Sequence, residues 1–210
     1  MAFDYKREYK EFYAPPRRPG IVDVPAMNFI AVRGSGDPNR EDGEYKQAIG
    51  LLYVVAFTIK MSRRAGHLME GYFDYVVPPL EGFWWQAGAG DVDYSHKERF
   101  EWIAAIRLPD FVTEAEFGWA LEEATRKKHA DFSRVQFMPL LEGLCVQCLH
   151  VGPYDDEPAT LALMHEFAQS EGYVPDFSDV RRHHEIYLSD ARRVAPERLR
   201  TVIRHPIRRA

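Results

Sequence analysis

Apolar residues recur along this 210-residue chain with two different periods, and the switches between them mark its elements. The run PAMNFIAVRG, Pro25 to Gly34, reads as a strand that ends in a glycine turn. In GEYKQAIGLLYVVAFTIKMSRR the apolar residues Tyr45, Ala48, Ile49, Leu52, Val55, Ala56 and Ile59 fall three or four apart, which predicts a helix. Leu51, Val54 and Phe57 widen that stripe almost all round, so the helix is expected to be deeply buried. GYFDYVVPPLEGFWW then reads as one or two strands broken by Pro78 and Pro79, and ERFEWIAAIRL as a further strand. Thr113 with Glu116 three positions on has the form of a capping box, which predicts a connecting helix over about 113–130. RVQFMPLLE and LCVQCLHVG look like a hairpin pair.

The last third repeats the first. VQCLHVGPYDDEPATLALMHEFAQSEG again gives a strand, a glycine turn, and a helix that opens on acidic residues and Pro158 and closes near Gly172. RRHHEIYLSD and RTVIRHPI add two more strands. The expected fold class is therefore α+β: two fused strand-helix-strand-strand modules, about 21–108 and 143–207, related by a pseudo-twofold axis. Their antiparallel sheets would enclose a concave pocket. Residues 1–20 form an N-terminal extension in this reading, and 21–210 a single domain.

Charge and cysteine content narrow the function classes. A formal charge of −5 argues against general nucleic-acid binding, although nine Arg against three acids from Arg181 to Ala210 make a basic tail of about +6. The plain reading of that tail is a solvated face paired with the acidic remainder. Cys145 and Cys148 give no disulfide framework, which suits a reducing cytoplasm, and on a strand they point to opposite faces as small buried hydrophobes. The most apolar run, Ala48 to Ile59, is too short to span a bilayer, so no membrane partner is expected. Catalytic motifs fail one by one: HEFAQ has Gln169 where a zinc protease helix needs its second histidine, and GSGDPN has Asn39 where a dinucleotide loop needs its third glycine. No metal or cofactor is expected.

Strand parity selects the candidate site. In HHEIYLSD, Ile186 and Leu188 share a face suited to packing on a helix, which leaves His183, Glu185 and Tyr187 together on the other. Aligning DYVVPP with EIYLSD sets Asp74 opposite Glu185 and puts Tyr72, Asp74 and Val76 on the matching face. Trp84 and Trp85 are adjacent in an extended segment, so one of them faces away from the core. Such a cleft would hold two carboxylates among aromatic walls and suit a flat, mainly apolar ligand. Each residue has a plainer role too: Glu185 as a solvated strand residue, the tryptophans as one core residue and one lid, His183 as a hydrogen-bonding wall.

The duplicated module, the HVGPYDDEP turn, the HHEIYLSD strand and FDYVVPPLEGFWW together resemble the GyrI-like small-molecule-binding superfamily, a bacterial effector-binding domain, over about Ile21 to Ile207. VVPPLEGFWW with EIYLSD is similar to a stand-alone branch of cyclopropanoid cyclopropyl hydrolases. The resemblance implies a central pocket with a buried glutamate, which falls on Glu185 as the catalytic residue. Tyr72, Asp74, Trp84, Trp85, His183 and Tyr187 are the ligand-binding candidates. It implies binding of planar hydrophobic small molecules, with hydrolysis of DNA-alkylating cyclopropanoids, or non-catalytic sequestering of aromatic cations. The segment before the first module is too short for a DNA-binding helix-turn-helix, so no direct DNA-binding domain is expected. An interaction surface for gyrase is a third reading, to which no residue here points.

Overall fold

In the computed structural model, which describes residues 2–87 and 92–210, the chain begins with two single-turn helices, α1 (Tyr5–Glu8) and α2 (Lys10–Tyr13). Strand β1 (Gly20–Ser35) follows, then α3 (Glu44–Lys60), β2 (Leu80–Trp85), β3 (Glu101–Arg107) and α4 (Glu114–Lys128). The second half contains β4 (Gln136–Val151), α5 (Glu157–Ser170), β5 (Tyr173–Pro175), β6 (His183–Tyr187) and β7 (Arg200–Arg209). Neighbouring strands are antiparallel in the order β4-β1-β3-β2-β6-β7-β5, and β7 also pairs with β4. The sheet therefore closes into a barrel, which removes the exposed edges an open sheet would leave. Exchanging β1 with β4, β3 with β7 and β2 with β6 leaves the set of barrel pairings unchanged. The second half adds β5 between α5 and β6, and the barrel strands form one closed barrel instead of two facing sheets.

Three sequence expectations change. The proposed hairpin is one long strand: β4 pairs with β1 in unbroken register from Gly20↔Gln147 to Ala31↔Gln136, passing through Gly143 at φ 64. The length of β1 supplies partners to both halves of β4, so neither needs the other. GYFDYVV is not a ladder strand; its only strand-like contact is a bridge from Tyr75 to Phe3, and the strand starts at Leu80, after two prolines that cannot donate. Helix α3 is buried on one side only, through Tyr45, Ala48, Leu52, Val55, Ala56 and Ile59, while Phe57 is 50% exposed. The expected helix cap holds, with Thr113 Oγ1 accepting from the Glu116 amide at 3.3 Å, and so does the burial of both cysteines.

Period two divides the strands between an inner and an outer face. Phe29, Ala31, Phe83, Ala105, Ile186 and Val202 face inward, and Tyr5, Phe12 and Tyr13 of the N-terminal segment pack with them. The outer face carries Ile30, Val32, Ala104 and Ile106 under α3 and α4, and Val146, Cys148 and Ile203 under α5. Ile186 and Leu188 therefore do not pack on α3, α4 or α5: they join the inner cluster with the N-terminal segment, and the longer helices cover the face that bears His183, Glu185 and Tyr187. A pocket between two half-sheets is replaced by an interior filled with side chains.

That interior is not wholly apolar. His184 is bonded to Glu142 through Nδ1 and to Glu81 through Nε2, both at 2.9 Å, and Arg204 donates to Glu142 at 2.7 Å. The N-terminal segment closes the network: Tyr13 donates to Glu81 at 3.2 Å, and Arg204 to the Phe12 carbonyl at 3.0 Å. Among the described residues no helix is long and apolar enough to cross a membrane.

Candidate functional site

Glu185 projects from β6 toward the first turns of α3 and α5 and is 6% exposed. His183, two residues earlier on the same face, places Nε2 at 2.9 Å from Glu185 Oε1. Across the ladder the register partner of Glu185 is Gly82, and the next outward residue of β2, Trp84, donates through Nε1 to the Tyr187 hydroxyl at 3.0 Å. Helix α3 contributes Tyr45, whose ring lies 5.0 Å from that of Trp84. The turn before α5 contributes Tyr154, edge-on to Tyr187 at 5.7 Å, and the helix itself opens on Glu157.

Glu157 changes the chemistry of this cleft. It is fully buried; Oε2 accepts from the Tyr94 hydroxyl at 2.7 Å, whereas Oε1 has no protein donor. Glu157, His183 and Glu185 each bring one polar atom within 4.8 Å of the others. Two carboxylates so close cannot both stay ionised away from water. Burial first, and then the charge of Glu185, hold the Glu157 carboxyl well above the usual range. A neutral Glu157 can carry its proton on Oε1, the oxygen to which no protein group donates. The same three atoms span a distance that a small divalent cation could bridge. Burial, followed by the Glu185 charge, also raises Tyr187 well above its ordinary value and Tyr154 to about 12. Both phenols therefore keep their protons and can donate.

Of the residues singled out from sequence, the structure brings together Glu185, His183, Tyr187 and Trp84. Trp85 takes the opposite face, as adjacent strand residues must, and lies between the guanidinium groups of Arg182 at 3.7 Å and Arg33 at 4.9 Å. Tyr72 and Asp74 are not brought to the cleft. Tyr72 donates to the Lys60 carbonyl and packs against Phe111, and Asp74 pairs with Lys60 at 3.7 Å with most of its side chain exposed. Their placement followed from aligning the wrong strand, since the connectivity makes β2, not 71–77, the counterpart of β6. Glu157, Tyr45, Tyr94 and Tyr154 were missed because strand parity says nothing about helix starts. The signal present was PYDDEP, a tyrosine and three acids in a turn that leads into a buried helix.

Gly82 gives a direct test of this packing. A Cβ there would stand 2.5 Å from Trp84 Nε1 and 2.7 Å from the Tyr187 hydroxyl, separations that real side chains do not tolerate. Gly82→Ala is expected to break the Trp84–Tyr187 hydrogen bond and destabilise the fold by about 1–3 kcal/mol. Thermal unfolding monitored by tryptophan fluorescence reads both, and a variant with unchanged midpoint and emission would contradict the contact.

A barrel flanked by helices thus carries a buried pair of carboxylates, Glu157 and Glu185, among aromatic side chains. The chain belongs to the GyrI-like small molecule binding domain family, which matches residues 18–208. A crystal structure of an uncharacterized conserved protein from Listeria innocua is 47% identical with a TM-score of 0.92, covering 98% of this chain and 100% of the other. A hydrolase from the same organism is 45% identical with a TM-score of 0.88 and the same coverage. The C-terminal domain of EcmrR, at 11% identity and a TM-score of 0.55 over 92% of this chain and 98% of its own, shares the fold. No curated protein matches the chain.

Proposed function

We propose that this protein hydrolyses a flat, mainly apolar small molecule in the cleft, with Glu185 as general base and Glu157 as the neutral acid beside it. The observation that supports it is the pair of buried carboxylates whose oxygens lie within 4.8 Å of one another, with the Glu157 carboxyl held well above its usual range. The hydrolase relatives and the family's small-molecule site point the same way.

The substrate class suggested by the resemblance is the cyclopropanoid alkylators, in which a strained ring is fused to a dienone. Glu185 takes a proton from a water whose oxygen bonds to the strained carbon. The ring C–C bond breaks, and its electron pair passes through the dienone to the oxygen, which becomes a phenolate. That oxygen then takes a proton from Glu157, from Tyr187 or from Tyr154, so the net change is addition of one water. Buried donors aimed at the developing charge stabilise it more than solvent would.

Mass spectrometry of the protein incubated with a panel of cyclopropanoids and stable planar cations tests the reading. The expected result is a ring-opened product one water heavier than its cyclopropanoid. Cyclopropanoids left intact throughout the panel, with planar cations retained, would replace hydrolysis by sequestration. The pH dependence is a further expectation. Because the Glu157 carboxyl is held above its ordinary range, the active protonated form persists below the raised value and is lost as pH rises through it. Glu157→Gln keeps a hydrogen-bond donor but no transferable proton, so it should lower turnover and remove that alkaline limb; an unchanged rate and limb would take Glu157 out of the acid role.

A further inference from the structure

His183 is the inner end of a row of three imidazoles. Its Nδ1 lies 2.6 Å from Nε2 of His205, and His205 Nδ1 lies 3.0 Å from Nε2 of His165. His183 and His205 are each 1% exposed, while His165 sits on α5 and is partly open to solvent. The row runs from the carboxylate of Glu185 at 2.9 Å to the surface of a helix. We infer that these histidines form a proton relay between Glu185 and solvent, a role that rests on reading Glu185 as the base.

Two features separate a relay from simple space filling. Every contact in the row joins an Nδ1 to an Nε2, so three neutral rings can adopt one tautomer, each N–H aimed at the bare nitrogen of the next. Two such arrangements exist: all Nε2–H, pointing inward to Glu185, or all Nδ1–H, pointing outward. The second feature is neutrality at the middle ring. Burial first, then His183 and His165, hold His205 well below its ordinary value, so it carries one N–H to pass on. Around the row stand Glu185 and Glu157 with Tyr94 at the inner end, and the Phe177 ring at 4.9 Å from His205.

The transfers balance. With the row outward, Glu185 passes the proton taken from water to His183 Nε2, His183 Nδ1–H moves to His205 Nε2, and His205 Nδ1–H moves to His165 Nε2. His165 releases its Nδ1 proton to solvent, and the row is left inward and still neutral. A proton entering at His165 Nδ1 reverses each step and is delivered to the acid pair, replacing the one given to the phenolate. One proton leaves and one enters in each cycle, so the exchange with solvent is neutral overall, in keeping with an addition of water that releases no net proton.

His205→Gln keeps a polar group in the row but cannot take a proton on one side and release it on the other. With a cyclopropanoid that the wild type opens, the first turnover of this variant is expected to stay within roughly threefold of wild type, and steady-state turnover to fall by about tenfold or more. Added imidazole should restore the later turnovers. Equal slowing of both phases without rescue would mean a structural role, and no slowing of either would remove the relay. If the wild type opens no cyclopropanoid, the base reading falls, and ¹⁵N NMR of the labelled wild-type histidines decides the row itself. A neutral His205 in the same tautomer as His183 is expected; a charged His205, or opposed tautomers, overturns the relay.

Discussion

Glu185→Gln is expected to lower ring-opening turnover by about 10²-fold or more, with little change in affinity for a neutral planar substrate. The amide keeps the shape and one acceptor oxygen, so His183 retains a partner for Nε2, but it removes the charge and the basic oxygen. It also removes the charge that helps hold the proton on Glu157. The acid pair therefore ceases to be a pair, and both halves of the proposed chemistry are lost together. Binding can be followed separately from turnover because Trp84 is bonded to Tyr187 at the cleft, so a ligand that shifts that tyrosine alters tryptophan emission. A variant that opens the ring as fast as wild type would remove Glu185 from the base role. A different pattern, a loss of about 1–3 kcal/mol in affinity for planar cations with no reaction to lose, would mark Glu185 as a counter-ion.

Glu185 was legible because period two acts on a strand whatever the strand packs against: His183, Glu185 and Tyr187 share a face in any sheet. Which face the helices cover was not legible, because Ile186 and Leu188 suit a helix and a barrel interior equally well. Only closure through β4 and β7, and the N-terminal aromatics that fill the inside, decide the matter. The same limit explains Asp74. Its local pattern, an acid between aromatics, matches that of Glu185, but hydrogen-bonded pairing begins six residues later, where the prolines end. Glu157 lay in a stretch that reads as an ordinary acidic helix start, and an acid there favours the helix in any case. Its burial comes from long-range contact with β6, which no local window contains. The basic C-terminal run shows the same thing: Arg204 is inside the barrel, Arg182 lies on Trp85 and Arg192 pairs with Asp190, so the excess charge is dispersed and does not form one patch.

The inner face carries the second large effect. Burial works against the charge on Glu142, but His184 and Arg204 outweigh it and bring the carboxyl down from 4.5 to about 2. Burial likewise opposes the charge on His184, and Glu142 and Glu81 outweigh it, so that imidazole is raised. These shifts describe one interaction seen from two ends. At about 1.4 kcal/mol for each tenfold change in proton affinity, the Glu142 displacement corresponds to about 3 kcal/mol of folding stability. The folded value lies below the unfolded one, so this stability is fully present above about 4.5 and is lost as pH falls through about 2. Glu142→Gln leaves Arg204 without its carboxylate inside the barrel, and removing one partner of a buried pair costs about 3–5 kcal/mol. The variant is therefore expected to be less stable at neutral pH by about 3 kcal/mol in denaturant titrations, and the gap should close as the acid window is crossed. On the alkaline side the raised His184 contributes stability that is present below its unfolded value and disappears as pH rises through the folded one, a limb that weakens in the variant. A gap that stays constant from neutral pH down through the acid window would show that the loss arises from packing and not from the Glu142 charge. Because His184 and Glu185 are consecutive residues on opposite faces of β6, this network and the acid pair of the cleft share one five-residue strand. The ion network that anchors the strand from inside the barrel thus also fixes where Glu185 stands outside it.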